Sequence, residues 1–204
     1  MTALVLVRHG STSWSERGRL QGWAPIGLSA SGIREAHAIG RRARDMDIAR
    51  VITSPLCRAR ETAAIVAPYL RLPVDVTYAL CELNYGDVTG STVSELEQRA
   101  PRLAQAWRER PWQVRFAARH GALTDVAGLL AELLARAAAS TTPTLCVTHG
   151  HVIRTAMILC RQLAAPDFWR LDVPTASIWA IDAAGASAQL GMPLELPAES
   201  RWLP

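Results

Sequence analysis

The sequence contains no lysine: all 22 of its basic residues are arginine, set against 18 acidic ones, for a formal charge of +4. That excess is small, and no basic tail or aromatic-interleaved basic run concentrates it, so nothing here argues for a nucleic-acid partner. The arginine bias has two readings, a GC-rich coding sequence or a use for planar, bidentate anion recognition. No apolar run approaches the ~20 residues of a membrane span, so no membrane partner is expected. A strand-like stretch begins almost at Met1, leaving no room for the charged, apolar and cleavage regions of a secretory signal. The expected compartment is therefore cytoplasmic. The four cysteines, Cys57, Cys81, Cys146 and Cys160, form no Cys-x-x-Cys pair and no zinc spacing, which leaves buried, reduced thiols. Cys57 and Cys81 each precede a residue of chemical interest and are candidates for oxidative interference. There is no linker, repeat or low-complexity segment. The 204 residues, half hydrophobic and a fifth charged, suit one domain over 1–204 with a sizeable core.

What is present is organised around Ala3-Leu-Val-Leu-Val-Arg-His-Gly10. The apolar, β-branched run Leu4–Val7 reads as a strand buried on both faces, as in a parallel sheet. It ends at a cation, an imidazole and a glycine, at the carboxyl end of a buried strand, where open α/β sheets bind ligands. A polar, glycine-punctuated loop comes next. Ser29 and Ser31 then signal a helix start, with Ile33, Ala36, Ile39 and Ala43 on its apolar side and Arg34, Glu35, Arg41, Arg42 and Arg44 facing out. His37 in that helix reads as a surface or packing residue. Arg50–Ser54 is a second strand; past Pro55 a helix opens with Arg58 in its first turn, near free N–H groups. The alternative for Arg58 is a solvated first-turn arginine.

Val74–Leu80 is a third strand candidate that delivers Glu82, and Gly86 and Gly90 mark a tight loop after it. Residues 92–107 fit a helix broken or bent near Pro101. The basic, aromatic stretch Arg108–Arg119 reads either as a flap over a pocket (an insertion of about 91–123) or as a solvated face with one packed tryptophan. His120-Gly121 comes after it with no strand before it. Thr124–Ala139 is a helix, and Thr144–Thr148 a strand ending at His149-Gly150, from which His151 leads into another helix. Pro174–Asp182 reads as a last core strand, with a weakly patterned tail to Pro204 at an edge. This alternation implies an α/β fold, a three-layer αβα sandwich on a mostly parallel sheet.

If the strand ends share one rim, His9, Arg58, Glu82 and His149 converge with Arg8. Arginine cannot ligate a metal, so this is a poor metal site and a good phosphate site. Arg8 and Arg58 can grip phosphoryl oxygens bidentately and offset transition-state charge. One histidine can attack phosphorus while the other donates to a non-bridging oxygen, and Glu82, if protonated, can supply a proton to a leaving alkoxide. No Walker loop, Gly-x-Ser-x-Gly elbow or Cys-x5-Arg pattern offers another mechanism.

Arg8-His9-Gly10-Ser-Thr12, Leu20-Gln-Gly-Trp23, Leu28-Ser-Ala-Ser-Gly32, Ser54-Pro-Leu-Cys-Arg58-Ala-Arg-Glu-Thr-Ala63, Glu82-x3-Gly86-x3-Gly90 and Thr148-His149-Gly150 stand in the order of the histidine phosphatase superfamily, which the chain resembles over about residues 4–180. The resemblance implies a phosphoglycerate mutase-like fold and no metal or other cofactor. By it His9 is the nucleophile that becomes phosphohistidine, Arg8, Arg58 and His149 bind phosphate, and Glu82 is the proton donor of the phosphatase branch. Ser15, Gln21, Gly22 and Gly150 join the phosphate-binding set. Ser15 stands where the family usually has Asn, Pro25 where Asp is common and Gly27 where Pro is common. The usual Pro-Gly-Gly-Glu-Ser segment is absent, with His120-Gly121-Ala122 near its place; these departures bear on substrate contacts. Family mutases are longer, with Arg directly after the catalytic Glu and a Lys soon after; here Leu83 comes after Glu82. The implied activity is a phosphomonoesterase acting on a small phosphorylated substrate. Mutase-type phosphoryl transfer and a non-catalytic phospholigand-binding module are the alternatives, and a homodimer is compatible. The flap arginines, Arg115 among them, suggest a substrate with further negative charge.

Overall fold

The computed structural model describes residues 2–140, 142–160, 164–182 and 187–189. Its sheet has six strands: β1 (Thr2–Arg8), β2 (Arg50–Thr53), β3 (Val74–Val76), β4 (Thr144–Thr148), β5 (Ile178–Asp182) and β6 (Ser187–Gln189). They lie in the order β3-β2-β4-β1-β5-β6. The first four are parallel; β5 runs antiparallel to β1, and β6 antiparallel to β5. The register of β1 on β4 places Leu4 opposite Thr144 and Arg8 opposite Thr148. The two strand–His–Gly units therefore end side by side at one rim.

Alternation along each strand divides the core. Val5 and Val7, with Val51, Leu145 and Val147, pack on α1 (Ala30–Ala43) and α2 (Cys57–Leu70) through Ile39, Ala43, Ala59 and Ala63. Leu4 and Leu6, with Ile52 and Cys146, face α5 (Leu123–Ala138) and α6 (Gly150–Leu159) through Leu130, Val152 and Ile153. A strand buried on both faces needs this uninterrupted apolar run, and helices on each side complete the three layers. Two short helices, α3 (Val93–Arg99) and α4 (Pro101–Glu109), break at Ala100, where Pro101 opens the second. Their Leu96, Ala104 and Trp107 join the α5–α6 cluster, so the flap is seated in the core. No helix among the described residues is long and apolar enough to cross a membrane. The tail beyond Gln189 lies outside the described residues.

Three local expectations are corrected. The third strand stops at Val76; Tyr78–Leu80 is a 3-10 turn that carries the chain to Glu82. Ile33 is 44% exposed, so the apolar side of α1 begins at Ala36. Glu35 does not face out: it is buried and accepts hydrogen bonds from the backbone N–H (2.7 Å) and hydroxyl (2.8 Å) of Ser11. Glu35 thereby clamps the loop after the first strand onto α1.

The clamp requires two glycines. A Cβ at Gly32 would stand 2.0 Å from the Ser11 carbonyl oxygen, and one at Gly10 would stand 2.5 Å from the Gly32 carbonyl oxygen. Gly32→Ala is expected to destabilise the fold by about 1–3 kcal/mol through forced backbone displacement, measured as a lowered urea midpoint.

Candidate active site

At the rim where β1 and β4 end, the rings of His9 and His149 lie 5.2 Å apart, centroid to centroid, tilted by 57°. Both are buried, at 2% and 0% exposure. The Nδ1 of His9 donates to the carbonyl oxygen of its neighbour Gly10 at 2.7 Å. That bond fixes the proton on Nδ1 and leaves the Nε2 lone pair free, and Nε2 accepts from Arg58 Nε at 3.1 Å. Burial, reinforced by the Arg58 and Arg8 cations, pushes His9 well below its ordinary value, so this imidazole is neutral.

His149 caps α6 at its N-terminus. Its Nε2 is 2.8 Å from the Ser54 hydroxyl oxygen. That oxygen also accepts from the Leu56 N–H; with its own proton donated to Nε2, the His149 proton is on Nδ1. That buried Nδ1 has no hydrogen-bond partner, and neither has the buried Nε of Arg8. Burial first, then the Arg58 cation, holds His149 well below its usual range too. Two neutral imidazoles thus coexist with two guanidiniums, one offering a lone pair and the other an N–H.

Arg58 is 1% exposed, its NH2 donating to the Gly22 carbonyl oxygen at 2.8 Å and its NH1 reaching the Ala24 carbonyl at 3.5 Å. Gly22 adopts a φ of 48°, which a side chain resists, and that turn aims its carbonyl inward. Burial lowers Arg58 to about 10, still charged at neutral pH. Arg8 donates through NH1 to the Val173 carbonyl oxygen. Its Nε and Cζ lie 3.8 Å from where a Cβ on Gly150 would stand, so the guanidinium sits beside the α6 N-terminus. Gln21 and Ser15 hold the loop's shape: Gln21 Oε1 accepts from Thr12 Oγ1 (2.9 Å), and Ser15 Oγ accepts from the Thr12 N–H (2.8 Å). Thr62 accepts from the Gly10 N–H at 3.1 Å.

Glu82 meets the same group of cations. Burial alone would raise its carboxyl, but the His151 ring, the Leu83 N–H and the Arg58 cation outweigh burial and hold it down at about 2. Glu82 is therefore ionised in the free protein, so the protonated form that an acid role requires is not its resting state. Its Oε1 accepts from Leu83 N–H at 2.8 Å and lies 3.2 Å from His151 Nδ1.

Sequence reasoning passes over His151, Arg154, Ser54, Thr62 and Glu35. For His151 a signal exists, a second imidazole in His149-Gly-His151 on the first turn of α6. Arg8, Glu82, Tyr85, Trp107, His151 and Arg154 line a cavity of about 80 Å³ beside the two histidines. Trp107 brings α4 to that wall. Arg115, by contrast, is bound bidentately to Asp125 at 2.8 and 2.9 Å, with its side chain 60% exposed. It contributes no free cation to the cavity. A larger cavity of about 340 Å³ lies at the opposite end of the strands, by Leu4, Arg50 and Thr144, away from the histidines and their cations. The cysteines are free, and burial pushes the Cys81 thiol up to about 11, which argues against a reactive thiolate beside Glu82.

A profile of the histidine phosphatase superfamily (branch 1) matches residues 4–192, and the chain belongs to that superfamily. Among curated relatives, the "Uncharacterized phosphatase PhoE" of Bacillus subtilis (strain 168) is 41% identical over 101 residues, which is 50% of this chain and 52% of the relative. A "Probable phosphoglycerate mutase GpmB" of Klebsiella pneumoniae is 36% identical over 110 residues, 54% of this chain and 49% of the relative. The chain thus spans about half the length of the curated relatives it matches. Among solved structures, a mycobacterial glucosyl-3-phosphoglycerate phosphatase in complex with VO3 is 29% identical. Its TM-score is 0.77, over 88% of this chain and 92% of that one. Bacillus stearothermophilus YhfR is 28% identical, with a TM-score of 0.78 over 92% and 94%.

The two suppressed imidazoles give stability a pH dependence. Below about 6.5 the unfolded chain takes up protons that the folded protein refuses at His9 and His149. Folding stability is then expected to fall on acidification by up to ~1.4 kcal/mol per pH unit for each histidine. Glu82 extends the loss from about 4.5 down to about 2, where the unfolded chain's carboxyl is protonated while the native one stays ionised. Urea unfolding at pH 7.5, 6.5 and 5.5 measures the slope, and His149→Gln is expected to shrink it by about half.

Proposed function

We propose that the protein is a phosphomonoesterase that hydrolyses a small phosphorylated metabolite through a phosphohistidine on His9. The observation that carries this reading is the state of His9 Nε2: unprotonated, buried, and held 3.1 Å from a guanidinium nitrogen. A nitrogen with a free lone pair and a cation beside it suits attack on phosphorus, because the incoming phosphoryl group finds nucleophile and charge partner together. Arg58 and Arg8 bind the equatorial oxygens, the His149 N–H donates to one of them, and the α6 N-terminus at Gly150 adds its positive end. Gly22 positions Arg58, while Ser15 and Gln21 shape the loop beneath. Of the four buried side-chain polar atoms without partners among the described residues, Arg8 Nε, His149 Nδ1, Trp112 Nε1 and Thr155 Oγ1, the first two are those this reading assigns to phosphate. Glu82 protonates the leaving oxygen and later takes a proton from water.

The names of the relatives include both phosphatases and probable phosphoglycerate mutases. The similarity to GpmB favours a mutase as second reading, whereas Leu83 after Glu82 and the lack of any lysine favour hydrolysis. A non-catalytic ligand-binding module would have no use for a nucleophile held unprotonated.

His9→Ala is expected to lower turnover by on the order of 10⁴–10⁶-fold, the scale of a lost nucleophile. Labelled phosphate should be trapped on His9 in the parent protein and be absent from the variant. Arg58→Lys is expected to cost about 10²-fold in kcat, because a point charge replaces a fork that donates to two atoms. A panel of phosphate esters, including phosphoglycerates with and without 2,3-bisphosphoglycerate, is expected to release inorganic phosphate. Isomerisation without release would overturn the hydrolase reading in favour of the mutase.

A further inference from the structure

The ionised state of Glu82 leaves a question of proton supply, because a carboxylate cannot act as an acid until it has been given a proton. His151 stands where that proton can be held. Its Nδ1 is 3.2 Å from Glu82 Oε1, and its backbone N–H faces Oε2 at 3.4 Å. Its ring is fixed rather than loose: it stacks on Phe168 (5.7 Å, 22°), with Trp107 at 5.6 Å and Trp169 at 5.7 Å. The Tyr85 hydroxyl lies 3.3 Å from Nε2. Only 13% of the His151 side chain and 9% of the Glu82 side chain is exposed. Two titratable groups so close and so dry exchange a proton as one unit.

We propose that the general acid is the Glu82–His151 pair, in which His151 stores the transferable proton and Glu82 Oε1 hands it to the leaving oxygen. The proposal rests on the phosphohistidine reading of His9. A dianionic ester entering beside Glu82 adds like charge, which favours the neutral carboxyl and draws the proton from Nδ1 to Oε1. The His9 Nε2 lone pair then forms the N–P bond. The P–O bond to the leaving group breaks, its electron pair stays on that oxygen, and the same oxygen takes the proton from Oε1. The alcohol departs, leaving His151 neutral and Glu82 ionised. In the second half a water oxygen bonds to phosphorus and the P–N electron pair returns to Nε2. The water's proton passes through Oε1 back to Nδ1, so the pair ends the cycle as it began.

The surroundings of His151 are mixed in charge: Arg8 on β1 and Arg154 on its own helix share its cavity with Glu82 and Asp172. Tyr85 stays a neutral phenol, burial pushing it well above its ordinary value. The neutral His149 stands two residues before it. Glu82 is the only carboxylate among the described residues in ion-pair contact with His151.

The test compares kcat/KM against pH for an alkyl phosphate and for 2,4-dinitrophenyl phosphate, whose leaving group needs no proton. The comparison uses the full chain and its His151→Asn and His151→Gln variants. These amides can still donate to Oε1 but hold no titratable proton to pass on. The alkyl ester at pH 7 is expected to lose ~10–100-fold, at least tenfold more than the dinitrophenyl ester. Its alkaline limb should move to lower pH, because Glu82 alone must hold the proton. Equal losses on both esters, or an unmoved limb, overturn the proposal; turnover of the dinitrophenyl ester reports that the variants are folded. Phosphate trapped on His9 in the parent, together with equal losses, would overturn the pair while leaving the nucleophile standing. No label on His9 in the parent would overturn both.

Discussion

The contact between Arg58 Nε and His9 Nε2 sets the terms for everything around it. A guanidinium can face an imidazole nitrogen at 3.1 Å only if that nitrogen has no proton. Three supports act on it: burial and the nearby cations disfavour imidazolium, and the Gly10 carbonyl fixes the tautomer from the other ring nitrogen, although by itself it favours the protonated ring. Each support is a feature of backbone architecture. The carbonyl is aimed by the Gly10–Gly32–Ser11 packing, the cation by the first turn of α2, and the burial by a strand covered on both faces. The fold can be understood as the apparatus that holds one lone pair ready in a positive, water-poor corner.

Electrostatically the site is unbalanced: it gathers Arg8, Arg58 and Arg154 around the Glu82 carboxylate. Burial lowers Arg58 and Arg154 to about 10, which is the cost of assembling like charges away from water. A dianionic ligand relieves that imbalance, and a neutral one does not. This is why phosphate fits the site better than a carbonyl or a glycosidic bond would.

Fold and site are legible in the sequence where one local pattern dominates. Val7-Arg8-His9-Gly10 and Thr148-His149-Gly150 each end a β-branched run, and the parallel register of β1 and β4 makes neighbours of the two His-Gly pairs. The pattern places Glu82 correctly but for an incomplete reason, since a 3-10 turn rather than a strand delivers it. Its ionisation is not legible, because it depends on His151, 69 residues further along. Glu35 is misread because a helical repeat cannot distinguish a solvated carboxylate from one clamped to a loop 24 residues earlier. Arg115 is misread for a similar reason: composition shows the arginine, and only coordinates show Asp125 holding it.

The seat of α3 and α4 has a practical corollary. Trp107 touches the phosphate-side cavity and also belongs to the apolar cluster under α5 and α6. One side chain therefore serves both the cavity wall and the core. Moving this segment into a relative calls for a larger graft that carries Phe116, Phe168 and Trp169 with it, the rings on which Trp107 and His151 rest.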